Sequence, residues 1–208
     1  MAAAGPPPAD FASSLAAKSD KVLGALNLQH AQGNVFALMI RAAMLDGRVA
    51  RDAASDVNGN GKALTALLLS QLAPMLTGLL FASGAWGGMM FGIYGLTMAL
   101  AVGSTVLSLV VMAAASQSIV GRKFTVGQMF RGLAYAQSPG LIAVLPLPLI
   151  GQLANLWRLP TTLVALRDMA GTTLGKAFGL LLVGALVTMV VSFMIMPMLM
   201  NIWTYSLR

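Results

Sequence analysis

Residues 63–121 read ALTALLLSQLAPMLTGLLFASGAWGGMMFGIYGLTMALAVGSTVLSLVVMAAASQSIVG, without one Asp, Glu, Lys or Arg. A charged side chain at the centre of a bilayer costs about 3 kcal/mol on insertion scales. An uncharged run of this length therefore describes the solvent that the chain meets. About 20 apolar residues cross the hydrocarbon, so the run holds two membrane helices and a turn. The first is expected from about Ala63 to Ser83, kinked at Pro74. The turn falls at Gly84-Ala85-Trp86-Gly87, and the second helix runs from about Gly88 to Ser116. Gly84, Gly88 and Gly92 recur every four residues, a spacing that admits a neighbouring helix closely. Gly84 equally suits the turn.

The rest of the composition agrees. Hydrophobic residues make up 58% of the chain and charged residues 9%, against about 25% charged in ordinary soluble domains. There is no Cys, no Glu and one His, His30. Disulfides, thiol nucleophiles and Cys-ligated metals are thereby excluded. A formal charge of +7 in a soluble chain would suggest nucleic acid. Here the bases flank membrane segments, so orientation and lipid headgroups account for them and no nucleic-acid partner is expected.

Residues 1–33 read as a polar leader. MAAAGPPPADF lacks the basic start and apolar core of a signal peptide, and Pro6-Pro7-Pro8 favours an extended, solvated segment. Phe11, Leu15, Val22 and Leu26 suggest a short amphipathic helix within it. Residues 34–62 form a second unit. After Gly33-Asn34, one helix is expected from Val35 to about Ala54, with Arg41, Arg48 and Asp52 on its polar side. It could lie in the headgroup layer against anionic lipid or pack on the protein's own membrane domain, residues 63–208.

Arg122 and Lys123 close the second membrane helix. Thr125 and Gln128 fit a capping box that starts a short amphipathic helix to about Ala136, and Pro139 should end it. Residues 140–166 carry Pro146, Pro148, Gly151 and Pro160 and read as a Pro/Gly-rich hairpin turning near Gly151-Gln152. Gly171-Thr172-Thr173 caps a last helix from about Leu174 to Tyr205, bent at Pro197. Gly171, Gly175 and Gly179 again repeat every four residues and are candidate helix-packing positions. The expected fold is all-α: a polytopic membrane bundle of about five segments with N-terminal amphipathic helices. Arg41, Arg48, Lys62, Arg122, Lys123, Arg131, Arg158, Arg167 and Lys176 are candidate interface residues. Their distribution puts the N-terminus in the cytoplasm and the C-terminus outside.

Chemistry is scarce. Asp56-Val57-Asn58-Gly59-Asn60-Gly61 matches the opening of an EF-hand loop, but the twelfth position, which needs a bidentate Glu, is Leu67. A polar turn is the plainer reading. Met194, Met196, Met198 and Met200 carry thioethers suited to copper(I), yet residues two apart in a helix point about 200° apart, so packing explains them better. Arg158 stands alone among apolar residues. It is either a functional intramembrane charge or a side chain that snorkels to the surface. No catalytic dyad, carboxylate pair or phosphate loop occurs. No enzyme activity, cofactor or metal is expected.

Gly132-Leu-Ala-Tyr135-Ala-Gln-Ser-Pro139, the run ending in Leu156-Trp157, Leu163-Val-Ala165-Leu-Arg167-Asp168 and Gly175-Lys176-Ala177 together resemble the bacterial branch of the Yip-domain membrane proteins. Arg41-Ala-Ala-Met-Leu45-Asp46 and Asn58-Gly-Asn-Gly61-Lys62-Ala63 add to that resemblance. It implies a five-helix domain in the inner membrane with a cytoplasmic N-terminus, and structural roles for Tyr135, Pro139 and Trp157. Eukaryotic members contact Rab-type GTPases, and nothing in this sequence supports such contact here. Three functions fit: a scaffold or accessory subunit of a membrane assembly, which the missing chemistry favours; a channel or transporter for a small or apolar solute; and a lipid-organising protein using Arg41 and Arg48. Expected partners are membrane lipids and other membrane-protein subunits.

Overall fold

The computed structural model describes residues 14, 17, 18, 21, 22, 34–81, 86–145 and 148–206. Among these it is helical throughout, without strands. The helices are α1 (Val35–Ala43), α2 (Arg48–Ser55), α3 (Asn60–Phe81), α4 (Trp86–Val120), α5 (Val126–Ala134), a 3-10 helix (Tyr135–Val144), α6 (Pro148–Ala170) and α7 (Leu174–Ser206). Of the expected leader helix only residues 14, 17, 18, 21 and 22 are described, and these are helical; Gly84 and Ala85 of the expected turn lie outside the described residues.

The single helix expected over Val35–Ala54 is two. Leu45 has φ 62°, a left-handed conformation that a side chain bearing Cβ rarely adopts. The chain reverses there, and Asp46 turns inward, 3% exposed. α1 starts at an N-cap where the Asn34 carboxamide accepts from the Phe36 N–H at 2.9 Å. Met39 of α1 and Val49 of α2 pack with Ala66 of α3 and Tyr135. The pair therefore sits on the protein's own helices.

The capping box is present: Thr125 Oγ1 accepts from the Gln128 N–H (3.2 Å), and Gln128 Oε1 from the Thr125 N–H (3.0 Å). Two neighbouring N–H groups that a helix start leaves unpaired are thus satisfied. Pro139 does not stop the chain from coiling. After Ala134 the helix tightens to 3-10 pitch and runs through Pro139 to Val144. A proline has no N–H to donate, and this one is fully buried where the 3-10 helix packs against α3 and α6.

The hairpin is also rearranged. It is formed by the 3-10 helix and α6, and α6 continues unbroken past Gly151 and Pro160. Its turn therefore lies at the Leu145 end. Thr161, beside Pro160, places its hydroxyl 2.8 Å from the Ala136 carbonyl and ties the two arms together. α6 ends at Gly171 (φ 61°), with the Thr172 N–H donating to the Arg167 carbonyl at 3.1 Å. That is a left-handed glycine cap.

The packing forms two bodies joined through α5 and α6. α3 lies mainly against the 3-10 helix, while α4 lies against α7. Leu109, Met112, Ala113 and Val120 of α4, Ala177 and Leu180 of α7, and Leu166 and Met169 of α6 share one core. Among the described residues two stretches are long and apolar enough to cross a membrane, Gly95–Val120 of α4 and Leu174–Met194 of α7. Only 22% and 17% of their most apolar windows are buried. The core helix of a water-soluble protein would hide most of such a surface. Here Leu96, Val106, Val110, Leu186, Val190 and Phe193 point outward.

Candidate functional site

Between the α3 body and the α4–α7 pair lies a crevice of about 620 Å3. It sits beside Ser104–Met112 of α4 and Leu181–Ser192 of α7, the middle of both apolar stretches. Its volume falls in the range of about 300–1,000 Å3 typical of small-molecule sites.

One wall carries hydroxyls. Ser104 and Thr105 donate to the Ala101 carbonyl at 3.0 and 2.8 Å, and Thr188 to the Gly184 carbonyl at 3.1 Å. Donation to a carbonyl one turn back lets these side chains sit in an apolar setting. Ser108 reaches across instead, donating to the Gly184 carbonyl at 3.1 Å and joining α4 to α7. Gly184 makes that contact possible. A Cβ there would stand 2.8 Å from both Ser108 Oγ and Met112 Sδ, the close approach that small residues allow.

The opposite wall carries donors. Gln71 of α3, Gln137 of the 3-10 helix and Arg158 of α6 all line the crevice. Arg158 Nη2 donates to the Ser70 carbonyl at 3.2 Å, and its Nε is buried without a partner among the described residues. The guanidinium passes over Gly140, where any Cβ would collide with it. Arg158 is therefore half-buried on an internal wall. Leu67, Phe130, Leu133 and Leu159 supply the apolar lining, and no acidic residue takes part.

The other candidate residues fall into distinct places. Arg41 and Arg48 converge on Asp46 at 2.7 Å (Nη2 to Oδ2) and 2.9 Å (Nε to Oδ1). Burial pushes the Asp46 carboxyl up, but hydrogen bonds from Arg48 and Arg41 and their charges outweigh it and hold the group below the usual carboxylate range. Arg131 is 9% exposed, and its guanidinium holds Asn60 Oδ1 (3.0 Å) and the Ala54 carbonyl (3.1 Å). It was expected at the headgroups. The C-terminal carbonyl of α2 instead gives it an internal partner, as helix ends favour cations. Arg122 donates to the Met169 carbonyl (3.2 Å) and stacks 5.1 Å from the Phe124 ring centroid. Lys62, Lys123 and Lys176 are exposed. Arg167 pairs with Asp168.

Trp157 Nε1 donates to the Ala43 carbonyl at 2.7 Å, anchoring α1 to α6. Tyr135 is 2% exposed in the cluster shared by α1, α2 and α3. Gly171 serves the turn and Gly175 faces open space, whereas Gly179 lies on Ile119 of α4. Gly88 and Gly92 lie within α4, and their surroundings are outside the described residues. Asp56 Oδ1 accepts from the Asn58 N–H at 3.0 Å in a turn that leads into α3. Among the described residues no group of His, Cys, Asp or Glu is placed to hold a metal.

Sequence reasoning missed the crevice. Its visible traces were Arg158, alone among apolar residues, and the hydroxyls Ser104, Thr105 and Ser108 within the apolar stretch of α4. No protein-family model, curated protein or solved structure matches the chain.

Proposed function

We propose that this chain is a non-enzymatic integral membrane protein whose working part is the mid-depth crevice, which takes up a small or largely apolar solute as a carrier or channel does. The observation that carries this reading is the 620 Å3 space with hydroxyls and amides at the middle of two apolar stretches. Polar groups at that depth are costly and mark binding sites or pathways. In this reading α3 and the 3-10/α6 hairpin complete a five-segment domain in a cell's inner membrane. The basic ends at Lys62, Arg122 and Lys123 lie in the cytoplasm and the C-terminus lies outside.

The absence of Cys makes the test direct. Ser104→Cys, Gln137→Cys and Thr188→Cys should each react with a small membrane-permeant thiol reagent in proteoliposomes. Leu180→Cys, at a position 0% exposed, should not. Reaction rates at the three crevice positions no faster than at Leu180 would remove the proposal.

An accessory-subunit role is the second reading. Gly95, Ala99 and Gly103 form an outward stripe on α4, and a Cβ at either glycine would meet nothing within 4 Å. Such stripes let a second helix approach closely. A stoichiometric membrane partner retained in mild detergent and lost in Gly103→Leu would support it; a strictly monomeric preparation would count against it. The lipid-organising reading loses its motive, because Arg41 and Arg48 are both turned onto Asp46.

A further inference from the structure

The crevice holds more hydrogen-bond donors than its own walls use. A guanidinium has five N–H donors. Among the described residues that of Arg158 makes one hydrogen bond, to the Ser70 carbonyl, and its Nε is buried unpaired. The carboxamides of Gln71 and Gln137 line the same space and make no hydrogen bond among the described residues. The hydroxyls on the far wall spend their protons on helix carbonyls.

Charge is equally unbalanced. After Asp56 the only acidic residue is Asp168, and it belongs to Arg167 at the end of α6. A cation held away from water without a counter-charge is costly, by several kcal/mol. The remaining lining includes Leu67, Phe130, Leu159, Leu181 and Met189, which favours a hydrocarbon chain. Headgroup donors and an apolar floor therefore share one space.

Resting on the crevice being a binding site, we propose that its ligand is an anionic amphiphile: a carboxylate or phosphate held by Arg158, Gln71 and Gln137, with its hydrocarbon chain along the α4–α7 wall. Gly140 belongs to the device, because only a residue without Cβ lets the guanidinium cross the 3-10 helix toward Ser70.

The test uses the full chain in phosphatidylcholine nanodiscs and a photoreactive fatty acid, with labelled residues mapped by mass spectrometry. Labelling is expected on crevice-facing residues of α4 and α7. Oleate should compete, and oleyl alcohol should compete at least about tenfold less well, a difference near 1.4 kcal/mol. Arg158→Gln should lose that preference, and Arg158→Lys, which keeps the charge, should retain most of it. Should Arg158→Gln fail to fold, the comparison of oleate with oleyl alcohol on the unaltered protein and on Arg158→Lys still decides. Equal competition by oleate and oleyl alcohol would overturn the anionic class and leave the crevice reading intact. Labelling undiminished by Ser104→Trp, which fills the space, would overturn both. Competition by inorganic phosphate as strong as by oleate would show a free anion and overturn the amphiphile.

Discussion

Asp46 is the residue whose removal the structure prices most clearly. Its carboxylate is 1% exposed and accepts from Arg41 Nε (3.0 Å) and Nη2 (2.7 Å) and from Arg48 Nε (2.9 Å) and Nη2 (3.0 Å). The Arg48 N–H adds a bond at 3.2 Å. Asp46→Asn keeps the shape and one acceptor but leaves two guanidinium groups facing each other. Breaking a buried pair typically costs about 3–5 kcal/mol. The Arg48 side chain is 42% exposed, and solvent screening there lowers the figure to about 2–4 kcal/mol. For a chain of this size the midpoint should fall by about 5–15 °C.

The pH dependence carries a sign. The folded carboxyl lies below its unfolded value. Its stabilisation is therefore complete above the unfolded value of about 4 and is lost as pH falls through the folded one. Thermal unfolding in neutral detergent from pH 7 to pH 3 should show a gap between the two proteins that closes on the acid side. The reasoning fails if the midpoints coincide at pH 7, if the gap does not narrow at all as pH falls, or if Arg41→Gln and Asp46→Asn prove additive in a double-mutant cycle.

Three further outcomes are expected. Gly140→Ala puts a Cβ 2.6 Å from the Ser70 carbonyl and into the Arg158 guanidinium, so it should cost about 1–3 kcal/mol and raise hydrogen exchange in α3 around Ser70. Thr125→Ala removes half of the capping box and should cost about 1 kcal/mol, measured by unfolding midpoint; an unchanged midpoint would mean that the box adds nothing. Gly171→Ala forces a Cβ into φ 61° and should cost about 1 kcal/mol, with faster exchange at the Thr172 amide as the local readout.

The helices α3, α4 and α7 and the Thr125–Gln128 box were legible because each rests on neighbours in sequence. So were the two apolar stretches in α4 and α7, since a missing charge is visible without any contact. The break at Leu45 was not. Gly47 lies two residues on, but the left-handed residue itself is a leucine, and its backbone depends on Asp46 finding Arg41 and Arg48. The hairpin turn was misplaced for a related reason. Gly151 and Pro160 look like breakers, yet packing against the 3-10 helix keeps α6 intact through both. Arg131 and Arg158 could not be placed from sequence at all, because their partners, Asn60, Ala54 and Ser70, lie far away along the chain. The crevice is the extreme case: its walls come from six helical segments, and a hydroxyl in α4 carries no mark of facing one in α7.

The pairing of α3 with the 3-10 helix also bears on how the protein is made. At about 5–20 residues per second, Tyr135 leaves the ribosome roughly 3–11 s after Phe81. Through that interval α3 has left the ribosome while its main packing surface does not yet exist. α4 waits longer still for α7. The nascent chain thus passes through a stage in which α3 and α4 are made but neither has its main packing partner. Insertion machinery or an attendant chaperone would have to shelter them, and a pause in translation before Tyr135 would lengthen that exposure.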